Sequence, residues 1–490
     1  MAYNGDTKKN EIIYNRKPNH ISNRSDDRRT LDWFYLQTGA ALWKTRAWAR
    51  KSAKDGVYQT RSHPRCPYIV TQAETACQIL ATEPVDQFVQ RDAVRKTAKR
   101  EAEMQHSLTG SIGDRWVDMR RRLKRDVFVK VMPSKPIPIA KRVVKKILTR
   151  FRDAASHCGT LDLGHVLMLG FCEWICELVL GKSCPQSIRD RFLQYILYKK
   201  DPQRKKERYA RTNETGNEPK RQGSLLAEKF VEEVENLHIE PGNDCLVAAM
   251  KAAGFTKDEV NANMFSFLRA GFGTTVHITQ MTLLLVAHQG SSSRYARAMQ
   301  KHCAALCQDP AMARKSIADL KAGKKKSVTG ASLGASFPPS FSSGPTRLLS
   351  RAILETVLKF PPVWNLPRFA KLGAVCPALA KQPDAATLCD KLVKVHIYVA
   401  CCNNIGPDPV RAWNPAAPLS ADQHMCSFGL GARYCPVGSY ALGVIHTFLA
   451  PILAEFRIGL VKPLKDILGS SYLIPGLKFD TSIEVTVKPI

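Results

Sequence analysis

The spacing of apolar residues predicts helices over most of the chain, with a few short strands between them. After a polar N-terminal arm, residues 67–80 (PYIVTQAETACQIL) predict a strand followed by a helix. Thr71 stands at the expected N-cap, and Glu74, three residues later, would complete a capping box. From Trp116 to Phe267 the pattern is mostly helical.

Two stretches predict long interior helices. Residues 163–181 are apolar on nearly every face, which is typical of a helix inside a large domain. Residues 258–289 are longer and, at about 1.5 Å per residue, would cross a whole domain. A further helix is expected at 346–360, where Pro361 ends it, and the last predicted element begins at Cys435.

These elements predict one large, mainly α-helical domain with minor β-sheet. The 490 residues are enough for two to four domains, but some single enzyme folds are as long. We assign residues 1–55 to a basic N-terminal arm, a candidate for membrane contact, and residues 56–490 to the domain. Gly, Ser and Pro break the pattern at 315–345, which predicts a flexible insertion.

The formal net charge of +30 points to acidic partners. An anionic membrane surface, an acidic protein and nucleic acid all fit this sign of charge. Much of the charge lies in two polar runs, 199–223 and 321–345, which are typical of solvated loops. Aromatic residues do not interleave there as a platform for single-stranded nucleic acid requires, so the pattern does not favour a nucleic-acid partner.

Fifteen cysteines without a regular spacing or an apolar leader predict reduced thiols in an intracellular compartment. Their spacing does not predict a zinc site. No stretch has the roughly 18 continuous apolar residues that a bilayer span requires, but residues 31–43, followed by basic residues, could lie on a membrane surface. The cytosolic face of a membrane and the mitochondrion both stay open as locations.

The sequence FGLGARYCPVG, residues 428–438, places Cys435 ahead of an apolar run with helical spacing. This predicts that Cys435 lies at or just before a helix N-terminus, with Pro436 at the first helical position. Unpaired amides and the helix dipole favour a thiolate there, so Cys435 is a candidate metal ligand or nucleophile. The nearest histidine, His424, has no evident orienting partner, so the spacing does not favour a nucleophile.

Phe428, Gly431, Arg433 and Cys435 match in register the F-x-x-G-x-R-x-C loop of the cytochrome P450 family, and the chain resembles that family. The resemblance implies haem b (iron protoporphyrin IX) with the Cys435 thiolate as axial iron ligand. It also implies that Phe428 packs beneath the haem, that Gly431 lets backbone amides approach the sulfur, and that Arg433 reaches a haem propionate. A thiolate ligand pushes electron density onto iron and favours O–O cleavage, and nearby amides tune its basicity.

Further landmarks occur in family order from about residue 67 to residue 489. The stretch GDRWVDMRRRL resembles the W-x-x-x-R helix of the family, and LRAGFGTT resembles the A-G-x-D/E-T-T stretch over the distal haem face. The residues implied by these matches are Trp116 and Arg120 as propionate partners, Ala270 and Gly271 at the cofactor, and Thr274 as the catalytic hydroxyl.

Two later segments continue the resemblance. LETVLKFPPVWNLPRFA resembles E-x-x-R followed by P-P and a basic residue, which makes Glu355 the helix glutamate and Arg368 a candidate propionate partner. DPVRAWNP resembles the segment that precedes the haem loop. The two sides of the site would therefore come from distant parts of the chain.

The chain departs from the family pattern at four places. Gly273 replaces the distal acid, so proton delivery would need water or another group. Leu358 replaces the arginine of E-x-x-R, and the segment between Pro415 and Phe428 is too short for the usual P-E-R-F meander. Val437 occupies the position of a glycine, where its branched side chain would approach the haem.

The loss of the arginine leaves Glu355 without its usual partner. Lys359 is one step round the helix from Leu358 and is expected to point about 100° away. A buried, unpaired carboxylate is costly, so Glu355 must find another cation, become exposed or take up a proton.

Three functions are compatible with this pattern. The resemblance implies a haem-thiolate monooxygenase that takes electrons from a reductase or ferredoxin and inserts one oxygen atom from O2 into a hydrophobic substrate such as a lipid or sterol. Gly273 also fits a haem-thiolate isomerase or dehydratase, which rearranges a peroxide without external electrons. The altered motifs also fit a divergent haem protein, or one without haem, that serves in binding or regulation.

Overall fold

The chain folds around long helices, as the apolar spacing predicts. The structure, a computed structural model, describes residues 56–59, 68–81, 106–182, 184–200, 229–237, 239, 244–290, 293–322, 347–363, 365–371, 377–381, 386, 392–398, 411, 413–415, 426–464, 466–467 and 483–490. The predicted arm at 1–55, the amphipathic segment at 31–43, the charged run at 201–223 and His424 lie outside these residues.

We number the main α-helices of the described part of the chain α1 to α12. They are α1 (Ala73–Ala81), α2 (Gly113–Arg122), α3 (Pro136–His157), α4 (Leu163–Leu180), α5 (Gln186–Lys200), α6 (Leu246–Ala252), α7 (Lys257–His288), α8 (Arg294–Gln308), α9 (Pro310–Ala322), α10 (Leu348–Lys359), α11 (Pro377–Ala380) and α12 (Gly438–Glu455). One turn of π-helix, Leu123–Phe128, and a short helical piece, Val129–Val131, extend α2, and residues 229–235 are also helical.

Two small sheets flank the helices. Their strands are β1 (Val57–Gln59), β2 (Tyr68–Val70), β3 (Thr160–Asp162), β4 (Asn365–Lys371), β5 (Leu392–Tyr398), β6 (Phe456–Leu460) and β7 (Glu484–Pro489). The first sheet has the order β1-β2-β5-β4, with β2 and β5 parallel and the other pairs antiparallel. The second is antiparallel, in the order β3-β7-β6. The structure is therefore mainly α with minor β, as predicted.

The core forms between the longest apolar helices. Helix α7 packs against α4, α10 and α12, and its N-terminus carries a full capping box between Thr256 and Glu259. The 32 residues of α7 correspond to about 48 Å, so the helix crosses the domain as expected. Phe171 of α4 stacks on Phe448 of α12 with 4.1 Å between ring centroids. These contacts join α4 and α12, which are more than 250 residues apart in the sequence.

Among the residues that the structure describes, three helical segments are long and apolar enough, by composition, to cross a bilayer. They are Leu163–Leu180, Lys257–His288 and Gly431–Glu455, and 78%, 78% and 67% of their most apolar windows are buried inside the fold. The first two confirm the predicted interior helices. Their apolar surface is used to build the core.

Three predicted boundaries are wrong. The Thr71 hydroxyl donates to the Gly56 carbonyl oxygen at 3.0 Å instead of capping α1, which begins at Ala73. Helix α9 runs to Ala322, with Ser316 buried, so the predicted insertion at 315–345 begins too early. Strands β6 and β7 follow α12, so the element at Cys435 is not the last.

A buried polar cluster lies between α8, α9, α10 and α12. His446 Nε2 and Ser316 Oγ lie 3.0 Å apart, and Ser316 Oγ lies 2.9 Å from Ser350 Oγ. Burial, with a smaller effect of His302, lowers the pKa of His446 to about 3. His446 is therefore neutral in the fold, whereas in the unfolded chain it takes up a proton below about pH 6.5.

We predict that His446 makes the fold acid-sensitive. Because its pKa is lower in the fold than in the unfolded chain, stability is lost as the pH falls below 6.5, by about 2 kcal/mol at pH 5. His446→Gln should reduce the change in unfolding free energy between pH 7 and pH 5 by that amount, measured by urea denaturation. His165→Gln, at an exposed position, is the control. An unchanged pH dependence in His446→Gln would contradict this assignment.

Candidate functional site

The loop before α12 is closed by backbone hydrogen bonds. The Cys435 N–H donates to the Phe428 carbonyl oxygen at 2.9 Å, and the Tyr434 N–H donates to that of Gly431 at 3.0 Å. Gly429 and Gly431 have φ values of 75° and 62°, which residues with a Cβ rarely adopt. The glycine at 431 is therefore required by the turn that brings Cys435 back towards Phe428.

Cys435 lies two residues before the N-cap of α12. The helix begins at Gly438, with Val437 at the N-cap, so Pro436 is not the first helical residue as predicted. The pairing of the Cys435 N–H with Phe428 keeps this stretch in the turn. The thiol is not in a disulfide and is only partly buried.

Two guanidinium groups lie close to one indole ring beside the cysteine loop. The Arg433 guanidinium lies 4.3 Å from the centroid of the Trp116 ring, and the Arg120 guanidinium lies 5.5 Å from it. Arg120 Nη2 donates to the Tyr434 carbonyl oxygen at 2.7 Å, and Arg433 Nη2 donates to that of Ser111 at 2.8 Å. The structure thus brings together the predicted residues of α2 and of the loop.

The guanidinium groups of Arg120 and Arg433 give the loop a positive electrostatic environment. Burial lowers the pKa of Arg120, and the nearby Cys435 thiolate opposes that shift. The Cys435 thiolate is therefore close enough to Arg120 for its charge to act on the guanidinium. Such a site favours anionic groups, whether a thiolate or the carboxylates of a ligand.

Helix α7 carries one strip that is not covered by the core. Between Ala262 and Ala287 the unburied residues are Phe267, Arg269, Ala270, Gly271, Thr274 and His277. All of these except Arg269 fall within an arc of about 120° at 100° per residue. We call Phe267, Ala270, Gly271, Thr274 and His277 the α7 strip. The predicted residues Ala270, Gly271 and Thr274 therefore share one surface.

Hydrogen bonds orient the two polar side chains of the α7 strip. The Thr274 hydroxyl donates to the Ala270 carbonyl oxygen at 2.7 Å, so its proton is directed at the helix backbone. His277 Nε2 lies 3.0 Å from the Phe360 carbonyl oxygen. Because a carbonyl oxygen only accepts, this nitrogen carries the proton.

Two other predicted positions lie on different surfaces. Gly273 is buried inside α7 and is not part of the strip. Arg368 is 3% exposed on β4, opposite Val395 of β5. Its role as a propionate partner stays a prediction.

Glu355 is paired with Lys359, so the predicted orientation of Lys359 is wrong. Lys359 Nζ lies 3.4 Å from Glu355 Oε2, and both side chains are at most 10% exposed. Four residues along a helix is a rotation of 400°, which leaves Lys359 only 40° from Glu355 and one turn above it. Of the three expected outcomes for Glu355, a new cation is the one observed.

Arg351 adds a second cation on the other side of Glu355. It lies one turn earlier on α10, is 5% exposed, and acts electrostatically on the Glu355 carboxylate. The Asn414 backbone N–H donates to this carboxylate, and Trp413 Nε1 donates to Thr356 Oγ1 at 3.2 Å. The α10 cluster, Arg351, Glu355 and Lys359, therefore also fixes the chain segment at Trp413–Asn414.

Sequence reasoning missed Ser111, Tyr434, Arg351 and His277, and it did not recognise Lys359 as the partner of Glu355. The positions of Arg351 and Lys359 beside Glu355 could have been predicted from the sequence. The spacing R-x-x-x-E-x-x-x-K puts a cation one helical turn on each side of the glutamate. Ser111 and Tyr434 contribute backbone carbonyl oxygens, which carry no signal in the residue type. His277 has the helical spacing of the α7 strip but lies outside the quoted motif.

Comparison with known proteins supports one family. The family model for Cytochrome P450 matches residues 48–297, just over half of the chain. The match includes Trp116, Arg120 and the α7 strip, and it ends before the Cys435 loop. A search of curated proteins found no match.

We predict that Lys359 neutralises a buried charge. Lys359→Met should destabilise the fold by about 3 kcal/mol at neutral pH, because breaking a buried ion pair leaves Glu355 poorly compensated. Burial already raises the pKa of Glu355, so the loss should shrink as the pH falls and the carboxylate takes up a proton. Urea denaturation at several pH values measures both effects.

A matched substitution serves as the control. Lys146→Met removes an ion pair to Glu173 in which the lysine is 62% exposed, and should cost under about 1 kcal/mol. Equal losses in the two variants, without pH dependence, would contradict the role given to Lys359.

Proposed function

The chain belongs to the cytochrome P450 family, and on that basis we propose that it is a haem-thiolate monooxygenase. It would insert one oxygen atom from O2 into a hydrophobic substrate such as a lipid or sterol. The observation that carries the proposal is the convergence of Trp116, Arg120 and Arg433 on the loop that carries Cys435.

The residues at the loop fit haem b. Cys435 offers one thiolate ligand for iron on a partly exposed thiol, and Arg120 and Arg433 supply two cations for the haem propionates. Bound haem would supply oxygen activation, which the thiolate ligand promotes. Phe428 is half-buried against the core, with its ring centroid 6.5 Å from that of Tyr434, as a residue packing under the cofactor would be.

The α7 strip is the proposed substrate side. Phe267, Ala270 and Gly271 are apolar or small, so they exclude water and leave room for an apolar ligand. An ideal Cβ at Gly271 would lie 2.6 Å from Ile175 Cδ1, so the glycine also allows α7 to approach α4 closely. Thr274 is the proposed catalytic hydroxyl.

One observation favours the isomerase or dehydratase as the second candidate. Thr274 donates to the Ala270 carbonyl oxygen, and Gly273 supplies no carboxylate, so the described residues here offer no acid–alcohol pair. Substrate turnover that requires an electron donor and O2 supports the monooxygenase. Turnover of a lipid hydroperoxide without a donor supports the isomerase.

The proposed electron donor is an acidic reductase or ferredoxin that docks on α2 and its extension. Residues 113–131 contain seven basic and three acidic residues. Arg121 and Arg125 are 67% and 70% exposed there. Arg120 of the same helix contacts the residue next to Cys435, so a donor bound at this surface would be close to the thiolate.

We also propose an intracellular, reducing location with peripheral contact to an anionic membrane. Nine of the cysteines in the described part of the chain are not in disulfides, which supports a reducing compartment. The positive charge supports contact with an anionic surface or partner.

We predict that Cys435 ligates the haem iron. The reduced, carbon-monoxide-bound protein should absorb at about 450 nm. Cys435→Ala should abolish that band, because the position of the band depends on a thiolate ligand to the iron. Cys158→Ala, which removes an exposed thiol, should retain it. A preparation that binds no haem, or a Cys435→Ala variant with an unchanged spectrum, would exclude the proposal.

We predict that the exposed cations of α2 steer the donor. In Arg121→Glu/Arg125→Glu, first electron transfer at low ionic strength should slow by about tenfold or more, measured by stopped-flow formation of the carbon monoxide complex. Lys301→Glu, on an exposed part of α8, should have little effect. Equal slowing in both variants would place the docking surface elsewhere.

A further inference from the structure

A cluster of three buried thiols lies where α4 meets α5, away from the cysteine loop. Cys172 and Cys176 are on consecutive turns of α4, with their sulfur atoms 4.0 Å apart, and Cys176 also hydrogen-bonds Cys184 in the connection to α5. The three side chains are 1%, 0% and 3% exposed. We call Cys172, Cys176 and Cys184 the thiol cluster.

The arrangement suits a disulfide and not a metal ion. Among the described residues, no three ligand-type side chains are placed to hold a metal. Cys172 and Cys176 cannot be bridged while α4 is intact, because side chains four residues apart have Cβ atoms about 5–6 Å apart and a disulfide needs about 4 Å. Cys184 is not in a helix, so its backbone can adjust to meet Cys176.

Arg189 activates one thiol of the cluster. Arg189 Nη2 donates to the Cys184 carbonyl oxygen at 2.9 Å, and the Cys172 thiol donates to the Arg189 carbonyl oxygen at 3.5 Å. The hydrogen bond with Cys176 lowers the pKa of the Cys184 thiol, and the charge of Arg189 lowers it further. Hydrogen bonds with Cys172 and Cys184, together with burial, raise the pKa of the Cys176 thiol well above its usual value. The charge of Arg189 beside Cys184 therefore favours a thiolate at Cys184 over one at Cys176.

Cys184, although buried, is the member of the thiol cluster that has exposed neighbours in the chain. It lies in a short connection whose flanking residues, Lys182 and Pro185, are exposed, and its thiol is within 3.8 Å of the Pro185 carbonyl oxygen. A small local opening of this turn exposes Cys184, whereas reaching Cys176 requires opening of α4.

We propose that Cys176 and Cys184 are an oxidative modification site that takes hydrogen peroxide as its oxidant and closes to an intramolecular disulfide. The Cys184 thiolate sulfur attacks one peroxide oxygen, the O–O bond breaks, and the other oxygen leaves as water, which makes Cys184 a sulfenic acid. The Cys176 sulfur then attacks that of Cys184, the S–O bond breaks and a second water leaves. Two thiols lose two electrons and two protons, and the peroxide is reduced to two waters.

The disulfide would fix the start of α5 against α4. Farther along α5, Phe192 packs edge-on against Phe272 of α7, with 5.6 Å between ring centroids. The modification therefore constrains a helix that contacts α7 on the buried face, opposite the α7 strip. This inference does not depend on the proposed function.

The test is peptide mapping of the purified full-length protein after peroxide treatment. The reductant is removed, hydrogen peroxide is added, and remaining thiols are alkylated in denaturant before mass spectrometry. We expect a Cys176–Cys184 linked peptide and the loss of two alkylatable thiols per chain. Cys184→Ser should abolish the link, Cys172→Ser should retain it, and Cys158→Ser is the control for an exposed thiol.

Peptide mapping of the unsubstituted chain shows whether the Cys176–Cys184 disulfide forms, even if a variant fails to fold. A Cys172–Cys176 link, irreversible oxidation of Cys184 without a link, or no loss of thiols would overturn the proposal. Hydrogen exchange gives a second measure, since amides at 186–192 should exchange severalfold more slowly in the oxidised protein. Unchanged exchange in a protein shown to carry the disulfide would overturn the proposed constraint on α5.

Discussion

The docking of the Cys435 loop on α2 is the contact on which the proposed site depends. The residues that meet there, Arg120 with Tyr434 and Ser111 with Arg433, are more than 300 positions apart in the chain. The contact places two guanidinium groups close to the buried Trp116 ring, and it sets the position of Cys435 before α12. Any shift of α2 would move the cations that stand beside the thiol, so the chemistry proposed for Cys435 follows from this packing.

Much of the helical framework around this contact could be predicted from the sequence, because it depends on strong local patterns. Helices α4 and α7 are apolar over many turns, and such lengths rarely have an alternative structure. Gly431 was readable for a local reason too, since the turn requires a positive φ. The proximity of Trp116 to Arg433 followed from the family resemblance and not from local pattern.

The predictions that failed depended on partners far away in sequence. Thr71 has the residue type of an N-cap, but Gly56 of the neighbouring turn offers its hydroxyl a better-placed acceptor. The polar composition after residue 315 hid a helix that is stabilised by burial of Ser316 against Ser350 and His446. Lys359 is a different case, because its pairing with Glu355 could have been predicted from the sequence. The helical rotation of Lys359 was counted from Leu358, whereas its rotation from Glu355 decides whether the two side chains meet.

The central claim is that iron is held by the sulfur of Cys435 beside Arg120 and Arg433. X-ray absorption at the iron edge of the purified haem protein tests this most directly, because it reports the elements bound to the metal. The account predicts one sulfur in addition to the porphyrin nitrogens, absent when Cys435 is replaced by alanine. Iron bound by nitrogen and oxygen alone in the unsubstituted protein would contradict it.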